Sequence, residues 1–373
     1  MKRAMRIIGR KIISLLCVSA LGFVLIAPAF AAENSERIMM LNKIEAAVYN
    51  MMLLNSENIQ TRSDIENMII GVEIPSYELT VNGPILKRDL RYFPILNSDD
   101  WVATAIVSYD LSGVAHVTIS QFAVDTYQRF LEGEPVAILF TDCKSYLYNG
   151  DEFVLNGIYG SEKGRIALED YSGEFTMDIE RPTVWSEVTL SDAPQVMSEY
   201  PIISTLDLPS VKQQHTYSCW AAALISMFGY YGTSGVTEDA IYEAANVPKY
   251  DGGSAINAAI AVTQYGYSYG TYGSKNYYYG TNDVKLTFDA IQNEIYSLKA
   301  PIFAGMVQSG NAYGHAIAVR GYIDSSAGQS VLYMDPDDGY QFAQTSYENG
   351  TFTYVTSSGK TLQFYMGFAV YDF

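Results

Sequence analysis

The chain has 373 residues, with a hydrophobic content of 49% and a charged content of 17%. This length favours two domains, and this composition excludes a largely disordered chain. The formal net charge of −18 argues against nucleic acid or an anionic membrane as a partner.

The first 31 residues have the pattern of an export signal. A positively charged start precedes an apolar run from Ile12 to Phe30 and a small-x-small cleavage site at Ala29–Ala31. The charged residues are Lys2, Arg3, Arg6, Arg10 and Lys11. The alternative is an uncleaved anchor. We expect cleavage, which changes the net charge from −18 to −23 by removing those five charges, and no stable membrane association afterwards.

The region that follows the signal alternates helix and strand patterns. Apolar residues at helical spacing predict a helix over 35–55, and a second helix is expected over 120–133 with Ser120 as its N-cap. Short β-branched and aromatic runs predict strands. They are 76–81, 91–96, 101–109, 114–119, 135–141, 145–150 and 152–159. We interpret residues 32–200 as one α+β domain built on an antiparallel sheet.

A segment over 181–205, with prolines and acidic residues but no clear period, is the expected linker. The second domain, 201–373, begins with helices and continues with antiparallel strands. Helices are predicted over 218–231, 237–245 (N-cap Thr237) and 283–299, and residues 251–281 are expected to be loop-rich. Strands are predicted over 301–307, 315–323, 330–335, 352–356 and 363–373. The second domain is therefore also α+β.

The cysteines indicate a functional thiol rather than a disulfide framework. The chain has three, Cys17, Cys143 and Cys219, and the first is removed with the signal. Exported proteins that depend on disulfides usually have a larger, even set, although a single Cys143–Cys219 disulfide stays open. Ser218 as N-cap places Cys219 in the first turn of a helix, where the helix dipole stabilises a thiolate. The alternative is a small buried residue at a helix start.

A thiolate nucleophile needs a general base, and the chain has three histidines. His116 lies inside a predicted strand of the first domain. His215 lies four residues before Cys219 and is a competing candidate. His315 begins a strand of small apolar residues, from which it can reach a thiol on a facing helix. Three histidines without ligand spacing do not indicate a zinc site, so no metal or cofactor is expected.

The imidazole needs an orienting group, and the acyl intermediate needs an oxyanion donor. A hairpin joins the His315 strand to the strand that ends at Asp335, so antiparallel pairing brings Asp335 back towards His315. Asp337 and Asp338 are close competitors. Gln213 or Gln214, just before Cys219, can supply a side-chain amide.

Together these residues resemble papain-like cysteine peptidases. Gln213, Cys219, Trp220 and Ala222 are similar to the entry of their active-site helix, and "GHAIAVRGY" at 314–322 is similar to their histidine strand. Asp335-Pro336 resembles the bacterial C39-like branch. The resemblance covers about 205–373. It implies a papain-like fold, selects Gln213 over Gln214, and implies catalytic roles for Cys219, His315, Asp335 and Gln213.

The resemblance implies a secreted bacterial cysteine endopeptidase that acts on proteins or peptides through a Cys–His–Asp triad. Residues 32–200 are then expected to be an inhibitory pro-domain, so that the enzyme is made as a zymogen. A permanent domain that recruits substrate or cell wall is the alternative. No transporter segment accompanies the resemblance, so the leader-peptide processing of transporter-fused C39 domains is not expected to apply.

Two other functions remain open from the sequence. The same triad suits transglutaminase-like or amidase acyl transfer, with cell-wall peptide as one acceptor. A catalytically inactive secreted binding protein is the non-enzyme alternative. The reactivity of the Cys219 thiol separates the last of these from both enzymes.

Overall fold

The computed structural model describes residues 36, 38–51, 54, 68–80, 83–97, 100–110, 113–120, 122–127, 137–141, 144–148, 153–158, 188–189, 201–273, 284–308, 314–337, 339–356 and 359–373. The chain divides into two compact units, Met1–Ile44 and Glu45–Phe373. The first unit is helical over 38–44 and the second over 45–51, within the helix predicted over 35–55. No helix in the described ranges is both long and apolar enough to cross a bilayer.

The domain boundaries proposed from the sequence are not tested by this division. The export signal lies outside the described residues, as does most of the expected linker. Cys17, Cys143 and Asp338 also lie outside them. The assignment of 32–200 and 201–373 to separate domains stays a prediction.

The N-terminal part of the second unit comprises residues 45–200. Its described residues lie mostly in strands, as its β-branched and aromatic runs predict. Its described elements are β1 (Met68–Ile70), β2 (Ile74–Thr80), β3 (Gly83–Asn97), β4 (Asp100–Tyr109), β5 (Ala115–Ser120), α1 (Val124–Tyr127), β6 (Ala137–Phe140), β7 (Lys144–Tyr148), β8 (Phe153–Ile158) and β9 (Val188–Thr189).

Among the described strands this sheet is antiparallel, as expected, except at one place. Strands β2, β3, β4 and β5 pair in chain order as an antiparallel meander, and β6, β7 and β8 do the same. The two sets join through β2 and β6, which run parallel. A parallel pair needs a long crossover connection, and here β3 to β5 and α1 supply it.

The predicted N-cap of the second helix is wrong. Ser120 is the last residue of β5, and its Oγ accepts a hydrogen bond from the Phe122 amide at 3.2 Å. A serine hydroxyl that bonds backbone two residues ahead favours a turn over a helix start. The helix begins only at Val124.

In the C-terminal part, residues 201–373, the helices precede most of the strands, as predicted. Its elements are β10 (Ile202–Thr205), α2 (Cys219–Tyr230), α3 (Glu238–Ala244), α4 (Ala255–Gln264), β11 (Ser268–Gly273), β12 (Val284–Lys285), α5 (Phe288–Gln292), a π-helical turn (Asn293–Ser297), β13 (Ile302–Val307), β14 (Gly314–Ser325), β15 (Gly328–Asp335), β16 (Tyr340–Glu348), β17 (Thr351–Val355) and β18 (Thr361–Tyr371).

Two predictions for this region are corrected. Residues 251–281 contain α4 and β11 rather than loop alone. Ser254 begins α4 with a capping box, because its Oγ accepts from the Asn257 amide while the Asn257 side chain accepts from the Ser254 amide. The helix predicted over 283–299 begins only at Phe288, where Thr287 is the N-cap and its Oγ accepts from the Ala290 amide.

The strands of the C-terminal part close on themselves. Antiparallel pairings run from β13 to β14, β15, β16, β17 and β18, and β18 pairs back with β13. Strand β16 was not predicted, because its polar residues do not alternate clearly with apolar ones. Helix α2 packs against β14, so the N-terminus of α2 and the start of β14 lie on the same apolar core.

Candidate active site

Cys219 is the first residue of α2 and carries a free, partly exposed thiol. Ser218 is in the N-cap position, as predicted, but its side chain makes no cap hydrogen bond. Its hydroxyl instead donates to the His215 carbonyl at 2.9 Å and accepts from the His215 amide at 3.1 Å. The first turn of α2 also contains no acidic residue. The positive end of the helix dipole therefore faces the sulfur without a competing carboxylate.

The start of α2 is fixed by the neighbouring Trp220. Its indole is 1% exposed and packs edge-on against the Tyr242 ring, with centroids 5.2 Å apart. Gly253, just before α4, lies flat on the same indole, because a Cβ at this position would be 2.3 Å from Trp220 Cε2. The direction of the helix start, and with it that of the thiol, is thus determined by packing on both sides of Trp220.

His315 is the second residue of β14 and lies opposite Met306 of β13. Its Nε2 is 3.0 Å from Asp335 Oδ1, and the Cys219 side chain is close enough to its ring to raise the pKa of the imidazole. The structure therefore brings together the three residues that the sequence predicts as nucleophile, base and orienter.

Asp335 is the best placed of the three candidate orienters. It ends β15, which pairs with β14 so that Met334 lies opposite Ala318, and this register returns it to the start of β14 as the hairpin predicts. Asp337 is farther from the ring, with its Oδ1 3.9 Å from His315 Nδ1. Its amide donates to Asp335 Oδ1 at 3.0 Å. The competing Asp338 lies outside the described residues.

These groups also satisfy a simple spacing test for a cation site. One ligand atom from each of His315, Asp335 and Asp337 lies within 4.8 Å of the others, which no other described set of such residues achieves. Because the Asp335 oxygen that faces the ring is already shared between His315 and the Asp337 amide, we interpret the carboxylates as partners of the imidazole.

Tyr354 is a component of the site that the sequence analysis missed. Its ring stacks on the His315 ring, with centroids 4.7 Å apart and planes at 19°. Its hydroxyl donates to Asp335 Oδ2 at 2.7 Å and lies 3.3 Å from Asp337 Oδ2. Burial, followed by the two nearby carboxylates, raises the pKa of Tyr354 well above 10. The hydroxyl therefore stays protonated and holds Asp335 with its other oxygen towards His315.

The surroundings of His315 favour its protonated form. Burial by itself lowers the pKa of the imidazole, since it disfavours the charged ring. The Asp337 charge, the Cys219 thiol and the hydrogen bonds to Asp335 and Cys219 outweigh this effect, and the pKa of His315 is raised well above 6.5. An imidazolium beside a cysteine at a helix N-terminus is a feature of the surroundings of reactive cysteines.

Gln213 is held beside the same group of residues. Its backbone amide donates to the Pro336 carbonyl at 2.8 Å, which ties it to the Asp335–Asp337 turn. Its side-chain Oε1 is buried and has no hydrogen-bond partner among the described residues. The side chain of Gln214 is instead exposed. Gln213, rather than Gln214, is therefore the glutamine whose side chain is partly enclosed beside this turn.

Glu238 holds the loop that carries Gln213 and Gln214, and the sequence analysis did not predict this role. It is buried in the first turn of α3, and its Oε1 accepts from the Gln214 amide at 2.7 Å. An acidic residue directly after the N-cap Thr237 is an ordinary helix-start signal, so the sequence gives no indication that its carboxylate bonds a distant loop.

The other two histidines lie in different surroundings. The His215 ring packs edge-on against Tyr250, with centroids 4.2 Å apart, in the turn before Cys219. His116 is fully buried in β5, as its strand pattern predicts, with Nε2 3.3 Å from Asp110 Oδ2. Among the histidines that the structure describes, only His315 lies beside both a cysteine and a carboxylate.

The C-terminal part of the chain, which contains these residues, is similar to a known family. Residues 205–358 match the model of the "Peptidase_C39 like family". A solved structure of the peptidase domain of Streptococcus ComA, described as a bi-functional ABC transporter involved in a quorum sensing pathway, is 17% identical. The alignment covers 44% of this chain and 97% of that chain, with a TM-score of 0.31. No curated protein matches the chain.

Proposed function

We propose that this chain is a cysteine endopeptidase with a papain-like catalytic domain, since residues 205–358 match the model of the C39-like peptidase family. Its nucleophile is Cys219, its general base is His315 and its orienting group is Asp335. The observation that carries this proposal is the position of His315, which lies beside Cys219 at the start of a helix and 3.0 Å from Asp335, whose other oxygen accepts from Tyr354.

The reaction begins with the Cys219 thiolate and the His315 imidazolium. The sulfur attacks the peptide carbonyl carbon, and the resulting oxyanion is bound by the Cys219 backbone N–H and the Gln213 side-chain amide. As the C–N bond breaks, His315 gives its proton to the leaving amine, and an acyl-enzyme thioester remains. Water then attacks the thioester while His315 takes a proton, so the carboxylic acid is released and the thiolate–imidazolium pair is restored.

The export pattern and the N-terminal domain complete the proposal. Residues 1–31 direct secretion and are removed, and the protein acts outside a bacterial cell. Residues 32–200 are the pro-part of a zymogen, and a cut within 190–205 activates the enzyme. The acidic composition of the chain suits a soluble secreted protein whose partners are peptide substrates.

Autoprocessing of the purified chain tests this function. We expect the wild-type chain to be cut within 190–205 and to hydrolyse a mixed peptide pool. Cys219→Ala should lose both activities, with the rate falling by about 10⁴-fold or more. Cys143→Ala is the matched control and should behave as wild type. Mass spectrometry of the pool identifies each product.

Three other results would contradict the proposal. New isopeptide bonds in place of hydrolysed ones would assign the site to acyl transfer. Hydrolysis that survives Cys219→Ala would place the reaction elsewhere. A Cys219 thiol that reacts with iodoacetamide at pH 6 no faster than an ordinary thiol would favour an inactive binding protein.

A further inference from the structure

The N-terminal strands form one continuous sheet with the strands of the catalytic part. Strand β5 pairs antiparallel with β16, with Thr118 opposite Thr345 and Ile119 opposite Gln344. On its other side β16 pairs with β15, the strand that ends at Asp335. The N-terminal sheet is therefore separated from the Asp335 strand by a single strand.

Strand β17 has one face towards the catalytic residues and one towards the N-terminal part. Successive side chains of a strand point to opposite faces. Tyr354 stacks on His315, while the Oγ1 of its neighbour Thr353 lies 3.3 Å from Ser108 Oγ in β4. Val355, the neighbour on the other side, belongs to an apolar cluster whose other buried members all come from residues 74–147.

The turn that follows β17 is held in the same way. Gly359 has a positive φ of 70°, and a Cβ at this position would lie 2.9 Å from the Phe140 ring of β6. The N-terminal part therefore fixes β17 along its outer face and at its end. Through β17 it sets the position of the Tyr354 ring over His315.

Polar groups where β5 and β4 meet β16 and β17 also oppose separation of the N-terminal part from the C-terminal part. Ser108, Thr118, Gln344, Thr345 and Thr353 are all at most 1% exposed. The Gln344 side chain donates to the Ala47 carbonyl, and Ser346 Oγ accepts from the Val117 amide at 3.1 Å. Removing the N-terminal part would break these bonds and leave β16 as an open sheet edge, which is an unfavourable state.

We propose that the N-terminal part stays bound after activation as a scaffold that positions Tyr354, and thereby His315 and Asp335, for catalysis. A cut within 190–205 then yields a two-chain enzyme and does not release the N-terminal fragment. This inference rests on the proposed peptidase function for its catalytic meaning. It assigns Tyr354 as a positioning residue and Thr353 and Val355 as its link to the N-terminal sheet.

The first test measures retention of the fragment. The full chain with Cys219→Ala and a site for a sequence-specific protease placed between 193 and 199 is cut completely and applied to a size-exclusion column. We expect one peak that contains both fragments at equal molar amounts and at the elution volume of the uncut control. Two separated, folded fragments would overturn the inference. This result does not depend on peptidase activity.

The second test measures positioning through the reactivity of Cys219. In a Cys143→Ser background, the iodoacetamide alkylation rate is followed against pH, with the modified Cys219 peptide quantified by mass spectrometry. We expect Val355→Ala and Tyr354→Phe to slow alkylation at pH 6 by about tenfold, which lies within the range of coupling between residues in contact. Val262→Ala is the matched control, because it removes the same atoms from a fully buried position in α4.

Peptide hydrolysis is not needed for either readout, so failure of the proposed function would be seen separately, as absent turnover in the wild type. The positioning role is overturned if Val355→Ala and Val262→Ala change the pH profile equally. It is also overturned if Val355→Ala leaves the profile unchanged.

Discussion

At the scale of single residues, the charge state of His315 depends on a carboxylate outside the predicted triad. Asp337 has its Oδ1 3.9 Å from His315 Nδ1, and its charge is the largest of the effects that raise the pKa of the imidazole against the opposing effect of burial. The sequence offered Asp337 only as a substitute for Asp335. The structure gives the two carboxylates different positions, one at each nitrogen of the ring.

This arrangement predicts the effect of Asp337→Asn on the pH profile. Loss of the charge lowers the pKa of His315, so the imidazolium is lost at a lower pH and the alkaline limb of kcat/KM moves in the acid direction. The pKa of His315 in the folded protein lies above 6.5. Protonation of His315 therefore contributes fully to the free energy of unfolding below pH 6.5, and this contribution disappears as the pH rises through the pKa of the folded state. In Asp337→Asn this contribution to the free energy of unfolding should therefore disappear at a lower pH than in the wild type.

The measurement is kcat/KM from pH 5 to 10, together with urea unfolding over the same range. Asp239→Asn is the control, because it removes the same charge from an exposed carboxylate that pairs with Lys249. An alkaline limb that stays in place, or moves to higher pH, would show that Asp337 does not influence His315.

At the scale of secondary structure elements, the first turns of α2 and α4 are locked together by one contact. Gly253 leaves no room for a side chain against the buried Trp220 indole. Gly253→Ala must displace the indole or the start of α4, and overpacking of this kind costs about 1–3 kcal/mol in the free energy of unfolding. Because Trp220 follows Cys219 directly, we expect Cys219 alkylation and kcat to fall as well.

Gly252→Ala separates this contact from a general effect of helix-start glycines. A Cβ at Gly252 meets nothing within 4 Å, so this variant should unfold at the urea concentration of the wild type and keep its activity. Equal losses in both variants would refute the packing argument. A Gly253→Ala protein with unchanged stability and unchanged alkylation would refute it as well.

The elements also show which parts of the site follow from the sequence. A helix start that carries Cys219 and a hairpin that returns Asp335 to His315 are local features, so their spacing is sufficient to predict them. Tyr354 reaches His315 only because β17 pairs with both β16 and β18, and no local pattern encodes that closure. Helix α4 was missed because Gly252 and Gly253 resemble a loop, although the second of them is needed for packing.

At the scale of the whole molecule, the unit Glu45–Phe373 contains a sheet that joins N-terminal strands to the strands that carry the site. Sequence composition could not predict this, because the pairing of β5 with β16 joins residues more than two hundred positions apart. The apolar cluster that includes Val355 extends across the same junction. Stability is thus shared between the N-terminal sheet and the strands that carry the site.

This sharing predicts that the two parts unfold together, whereas chains of this size commonly unfold domain by domain. Hydrogen exchange followed by mass spectrometry at increasing urea should show peptides from β4 and β14 losing protection at one urea concentration. Val355→Ala should lower that concentration equally for both peptides, because its cavity lies in the shared cluster and large-to-small core changes typically destabilise the native state. If the β4 peptides exchange at lower urea while β14 stays protected, the N-terminal part is an independent domain and its coupling to the site is too weak to position Tyr354.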